Sequence, residues 1–210
     1  MEQYVSGANW GWDESVKVHV TANIVGDKIT VGPNTRIDGQ VTITGDVQIG
    51  RNCHLAVGCS LFGGEGIVIG DHCGVSAGVR IFTGTDDPDL GVLALHSENE
   101  LARGAKVGMV LIEDYVTIGA NCVIYPGVRL GRACMVGALS FVNSNLEVGW
   151  IYAGCPARGL RPRPPLKYRD GLAAGTIVNT GGRNRAVAIP VSADEQFERD
   201  EREAVSAYGT

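Results

Sequence analysis

Aliphatic residues recur along this chain at every sixth position. Val25, Val31, Ile37, Ile43, Ile49, Leu55 and Leu61 share one register, and after two extra residues Ile69, Val75 and Ile81 resume it. A long interruption follows, and Ile112, Ile118, Ile124, Leu130, Val136 and Val142 then complete the series. The fifth position of each unit is small or β-branched: Thr35, Val41, Val47, Cys53, Cys59, Cys73, Val79, Thr85, Val116, Cys122, Val128, Cys134 and Ser140. A period of six is neither the 3.6 of an α-helix nor the seven of a coiled coil. Each unit therefore reads as a short strand and a turn, with positions one and five inward and positions three and four at the corner. The corner pairs Pro33-Asn34, Arg51-Asn52, Ala77-Gly78, Ala120-Asn121 and Pro126-Gly127 hold residues that preset a turn or tolerate positive φ. Three units close one coil of about 18 residues, and coils stack by parallel pairing into an all-β solenoid.

The pattern divides the chain into an N-terminal cap over 1–24, a β-helix over 25–147 with an inserted loop over 87–111, and a C-terminal arm and tail over 148–210. Counting in eighteens places Leu61, Ile81, Ile124 and Val142 on one face. Both interruptions, the short one at Gly63-Gly64-Glu65-Gly66 and the long loop, then leave from the corner that follows this face. In a solenoid, insertions gathered on one side mark the binding side. The loop brings Asp86, Asp87, Asp89 and His96. Trp10, Trp12 and Trp150 are available to cover the open ends. In the tail, the pattern predicts a hairpin from TIVNTGG and AVAIPV and a helix after Ser192.

Composition narrows this picture. Thirty glycines and thirteen aromatic residues in 210 suit many turns around a core of small aliphatics. A formal charge of −5 argues against nucleic acid or an anionic membrane as the main partner. No run approaches the ~18 apolar residues of a membrane span, and the N-terminus has neither the basic start nor the apolar run of a signal peptide; the expected location is the cytoplasm. The six cysteines contain no CxxC pair. Cys53, Cys59, Cys73, Cys122 and Cys134 fall at the inward fifth position, so they read as core thiols, and no metal is expected. His54 and His72 occupy outward or corner positions and read as solvated.

The segment Val110–Arg163 carries three motifs together: Ile118–Gly131 in the form IGA-x-x-x-I-x-PGV-x-LG, Val136–Val142 as VGA-x-S-x-V, and Ala153–Arg158 as AG-x-PAR. With the register, these make the chain resemble the hexapeptide-repeat acyltransferases of the maltose/galactoside type and, through TGTDDP and ALSF, the polysaccharide O-acetyltransferases. The resemblance implies a left-handed parallel β-helix and a homotrimer. It implies acetyl-CoA as acyl donor, lying in the groove between subunits, and a hydroxyl or amino group of a sugar, nucleotide-sugar or polysaccharide precursor as acceptor. It nominates Gly119, Ala120, Gly137, Ala138 and Ala153 for the pantetheine arm, and Arg158, Arg161 and Arg163 for the nucleotide phosphates. Relatives of the maltose type place a histidine in a T-x-[ST]-H-P segment. The matching text here is Thr83-Gly84-Thr85-Asp86-Asp87-Pro88, so the register puts Asp86 at the histidine position and alignment on the proline chooses Asp87. Three readings of the base stay open: His96 oriented by an aspartate, an aspartate itself, or no protein base for an amine acceptor.

Two alternatives come from other classes. A γ-type carbonic anhydrase shares the helix but needs three histidines meeting at a metal, and only His54 and His72 lie near one another in the repeats. A non-catalytic β-helix scaffold would have no use for the C-terminal AG-x-PAR motif.

Overall fold

The computed structural model describes residues 3–86 and 104–164. Their regular structure is all strand apart from one 3-10 turn, Gly7–Trp10. The strands are short because each runs into a corner that the sequence dictates. In one corner column Asn34, Asn52, His72, Tyr115 and Ala133 have φ between 55° and 60°; in a second, Gln40, Asn121 and Leu139 do, with glycines between them. Every corner pair named from the sequence carries its positive φ on the second residue. The third corner is softer. Strands Asn23–Val31, Thr42–Ile49 and Ser60–Ile69 bend through it without breaking. Gly45 shows why only glycine fits there: its φ is 84°, and a Cβ would lie 2.5 Å from the Gly63 carbonyl oxygen of the next coil.

Each coil pairs in parallel with the next. One face stacks Lys17–His19, Arg36–Ile37, His54–Leu55, Gly74–Val75, Thr117–Ile118, Met135–Val136 and Trp150–Ala153. This is the left-handed parallel β-helix that the motifs imply. Antiparallel strands close that face at both ends, Tyr4–Ser6 on Lys17–His19 and Arg158–Pro162 on Trp150–Ala153. The inward aliphatics form one continuous core, with Ile37, Ile43, Leu55, Leu61, Ile81, Ile118, Ile124 and Leu130 fully buried. Trp12 and Trp150 pack on its two ends, and Trp12 Nε1 donates to the Ile29 carbonyl oxygen at 3.0 Å.

The first coil corrects the six-residue count. Val18 pairs with Ile37 and Ile24 with Ile43, because a bulge between Val25 and Lys28 adds one residue to that coil. Val25, which the count turns inward, is 57% exposed, and Val16 and Val18 are buried ahead of it. At the other end Leu146 bridges to Leu130 and is buried, ending the regular count.

All five repeat cysteines are buried free thiols. Four of them also donate hydrogen bonds to backbone carbonyls. Cys53 Sγ donates to the Gly70 carbonyl oxygen (3.1 Å), Cys73 Sγ to that of Glu113 (3.1 Å), Cys59 Sγ to that of Ser76 (3.1 Å) and Cys122 Sγ to that of Gly137 (3.0 Å). Thr35 Oγ1 does the same for Gly50 at 2.8 Å. Each donates to a corner carbonyl in the coil above; those of Ser76 and Gly137 also accept from Val79 N and Ser140 Oγ. Burial pushes the thiols of Cys59 and Cys122 up, and that of Cys134 up to about 12, so they stay protonated.

Asp38 ties the N-terminal strand to the helix. It accepts from Tyr4 Oη (2.7 Å), Arg36 Nε (2.7 Å) and Arg36 Nη2 (3.1 Å), and lies 2.8 Å from His54 Nε2. Burial alone would raise its pKa, but these bonds outweigh burial and hold it at about 2. A depressed carboxyl stabilises the fold above its unfolded value of about 4 and loses that contribution as pH falls toward the folded value. The stability gap between wild type and Asp38→Asn, followed by urea denaturation, is therefore expected to close as pH falls from about 4 to about 2. The corrected register has its own test. Ile43→Ala should lower unfolding stability by about 3 kcal/mol, and Val25→Ala should change it by less than about 0.5 kcal/mol.

Candidate functional site

Both interruptions leave from the corner that the repeat count picked out. Leu61, Ile81, Ile124 and Val142 pair in succession along one face. The two extra residues lie just beyond it, since Gly45 pairs with Gly63 while Val47 pairs with Ile67. One coil later the strand Gly84–Asp86 departs, and it pairs antiparallel with the returning Ala105–Val107. Val110–Ile112 then lies directly on Ile67–Ile69, so the helix resumes in register as though nothing had been inserted.

Thr83 holds the two departures together. It is buried, its Oγ1 donates to the Phe62 carbonyl oxygen at 2.7 Å, and it accepts from the Glu65 amide at 3.0 Å. The Thr83 carbonyl accepts from Gly108 N (2.9 Å), and the Gly108 carbonyl accepts from Gly127 N (3.1 Å). The root of the arm is thus tied to the coils below and above it. Asp86, half-buried, ends the outgoing strand opposite Ala105. Asp87 and His96 lie outside the described residues, as does the tail with its expected hairpin and helix.

The residues nominated for the acyl donor form a second edge. Gly119, Gly137 and Ala153 follow the inward residues Ile118, Val136 and Tyr152 on stacked strands. A Cβ at Gly119 would fall on the Ala138 amide nitrogen, and one at Gly137 would come 3.0 Å from Ala153 Cβ. Coil stacking alone requires this, and Gly131 at another corner is confined in the same way by Val148 N. Outside them, Ala138 is exposed and Ala120 half-buried, so the edge is flat and built of small groups.

The three arginines separate. Arg158 and Arg161 are exposed on the terminal strand Arg158–Pro162. Arg163 turns back: Nη1 donates to the carbonyl oxygens of Tyr115 (3.0 Å) and Ala133 (3.1 Å), and Nη2 to Thr117 Oγ1 (3.3 Å). It clamps two coils to the C-terminal strand. Burial lowers its pKa from the ordinary guanidinium value.

Sequence reasoning passed over two features of the corner. One is Thr83, whose only signal was that it opens the Thr-Gly-Thr segment. The other is a set of aromatic side chains, Phe62, Phe82 and Tyr125, at outward positions of the face that feeds the corner; a large aromatic where the repeat calls for a polar residue was a legible signal. Lys106 Nζ, from the returning strand, lies 5.0 Å from the Tyr125 ring centroid.

Comparison with known proteins agrees with this geometry. Two family models match, "Bacterial transferase hexapeptide (six repeats)" over residues 109–144 and "Hexapeptide repeat of succinyl-transferase" over 46–82. The dTDP-4-amino-4,6-dideoxy-D-glucose acyltransferase of Escherichia coli is 28% identical over 154 residues, covering 71% of this chain and 80% of the relative. AntD, an N-acyltransferase from Bacillus cereus solved with dTDP and 3-hydroxybutyryl-CoA, is 30% identical and superposes with a TM-score of 0.74, covering 78% of this chain and 92% of AntD. A variant of AntD solved with dTDP-4-amino-4,6-dideoxyglucose and coenzyme A is 28% identical, also at a TM-score of 0.74, with 79% and 93% covered. The chain is a hexapeptide-repeat acyltransferase.

The two repeat histidines of this acyltransferase stand away from the arm's corner. His54 is held by Asp38, and His72 stacks on Tyr115 with ring centroids 5.0 Å apart. Neither the scaffold nor the carbonic-anhydrase alternative is needed. Among the described residues no helix is long and apolar enough to cross a membrane. The arginines supply a test. Arg163→Ala removes the guanidinium donor from the carbonyls of Tyr115 and Ala133 and should lower the acyltransferase's Tm by several degrees. Arg158→Ala, measured beside it by thermal denaturation, should leave the Tm within about a degree, as befits an exposed side chain.

Proposed function

We propose that this acyltransferase transfers an acyl group from a CoA thioester to the amino group of a nucleotide-linked sugar. One observation carries the reading. The AntD variants solved with ligands are changed at a serine and at an aspartate ten positions further on. In the present sequence a single serine has an aspartate at that interval: Ser76, followed by Asp86. Asp86 is the residue that the six-residue register sets at the family's histidine position. The likeness in spacing supports Asp86 over Asp87 as the acidic residue at the acceptor.

Ser76 and Asp86 belong to different edges of one coil, with strand Arg80–Phe82 and a corner between them. A site that uses both is best completed between subunits, which favours the homotrimer that the sequence motifs imply. In that arrangement the flat edge of Gly119, Ala120, Gly137, Ala138 and Ala153 takes the pantetheine arm. The exposed Arg158 and Arg161 take the CoA phosphates, and Arg163 holds the strand that presents them. The amine nitrogen attacks the thioester carbonyl, a C–N bond forms, the C–S bond breaks, and CoA leaves as the thiol. Asp86 orients the amine and accepts the proton it loses, with Asp87 and His96 as the other candidates for that proton. Five buried thiols without a disulfide support a reducing, cytoplasmic setting.

The test is release of CoA thiol from acetyl-CoA and 3-hydroxybutyryl-CoA, with a dTDP-linked 4-amino sugar or its 4-hydroxy counterpart as acceptor. Release is expected with the amine only. Asp86→Asn should lower kcat by a factor of about 100 or more, and Asp87→Asn and His96→Ala by much less. Full activity in Asp86→Asn would overturn the assignment, and no release with the amino acceptor would overturn the reaction.

A further inference from the structure

Outward positions on a β-helix strand face water, and most here are polar or small. One column departs from this. Phe62 and Phe82 pair in register on neighbouring coils, and Tyr125 continues their column, two residues beyond Val123, which pairs with Arg80. The Phe62 and Phe82 rings stack with centroids 5.4 Å apart and planes 20° apart. Tyr125 meets Phe141 edge-on at 5.3 Å. Three of the four phenylalanines in the chain are placed on this outer face, and none of them belongs to the core. Phe62 is 38% exposed.

The column sits beside the arm. Thr83, which follows Phe82 directly, is the residue that pins the arm's root. Lys106 hangs over Tyr125 from the returning strand, where it pairs with Thr85, the neighbour of Asp86. Aromatic floor and cation therefore adjoin at the root of the arm, and Asp86 closes that root one residue beyond Thr85, opposite Ala105. Arg80 on the same face has its Nη1 held by the carbonyl oxygens of Gly58 (2.6 Å) and Gly78 (2.9 Å), so Lys106 is the cation better placed for a ligand.

We propose that this shelf receives the nucleotide half of the acceptor, with the pyrimidine base against Phe62 and Phe82 and the diphosphate at Lys106. The inference rests on the nucleotide-sugar reading above. Planar bases stack on aromatic rings whatever their hydrogen-bonding edge, and an ammonium group answers a diphosphate. The strands of Phe62 and Tyr125 are two sheet spacings apart, about 10 Å, a span that a nucleoside diphosphate covers. With base and phosphates so placed, the sugar lies toward the end of the arm's two-stranded root, which Asp86 closes. A purely structural role would leave the ring stack facing another copy of the chain, and that is the rival occupant.

The experiment measures binding of dTDP and, separately, of CoA by calorimetry, with the assembly state followed by sedimentation. Wild type is compared with Phe62→Ala, Phe82→Ala, Phe62→Tyr and Lys106→Ala. The expected result is a tenfold or greater rise in the Kd for dTDP in the two alanine variants of phenylalanine and in Lys106→Ala. Affinity should be retained in Phe62→Tyr, and CoA binding and assembly should be unchanged throughout. Unchanged dTDP affinity in the alanine variants, with wild type binding dTDP, overturns the shelf and leaves the acceptor reading standing. Dissociation of the assembly in Phe62→Ala or Phe82→Ala makes the face a contact between copies and overturns the proposal. Failure of wild type to bind dTDP overturns both the shelf and the nucleotide-sugar reading.

Discussion

Each coil must lie on the next at sheet spacing, about 4.8 Å, with its corners above the corners below. Backbone pairing enforces this on all three faces, and the side chains comply. Inward positions stack aliphatic on aliphatic, as in Ile43, Leu61, Ile81, Ile124 and Val142, each worth about 1.5–3 kcal/mol when buried. Corner carbonyls take their donors from the coil beneath, through Thr35, Cys53, Cys59, Cys73 and Cys122. Where the backbones come closest, as at Gly119 under Ala138, there is no room for a Cβ. The tolerance for change inside the stack is therefore small, and variation is forced outward.

Insertion obeys the same constraint. A segment can leave only at a corner, and it must return so that the next strand meets the coil it skipped. The long arm does this, with Ile112 resting on Ile69 and Ile118 on Val75. Its root is tied to the helix by an antiparallel pair and by Thr83. Asp86 and Lys106 belong to that root. A site assembled there inherits positions set by the core.

This division explains what was legible beforehand. Register, core cysteines, positive-φ corners and the shared exit corner all follow from a period that the sequence displays openly. Val25 was misplaced because a one-residue bulge shifts the count without marking the sequence, and an edge coil has a neighbour on only one side to expose the slip. Arg163 read as one of three phosphate-binding arginines because its partners, the carbonyls of Tyr115 and Ala133, are 48 and 30 residues away. Phe62 and Phe82 were readable as aromatics in outward places. Ser76, an ordinary corner residue, carried no signal until a relative's spacing singled it out.

The missing histidine bears on the choice of acceptor. A hydroxyl must shed its proton as it attacks a thioester, which calls for a base whose pKa lies near neutrality. The maltose-type relatives that this chain resembles carry a histidine at that point. An amine that reaches the thioester as the free base already holds the lone pair it needs, and its proton becomes acidic only once the C–N bond has formed. A carboxylate suffices for that later transfer, and before it can hold the amine in place by a hydrogen bond. An aspartate at the histidine position is thus poorly suited to a sugar hydroxyl and well suited to an amino sugar. On the proposed reading, the replacement that left the base unsettled in the sequence is the feature that selects nitrogen over oxygen.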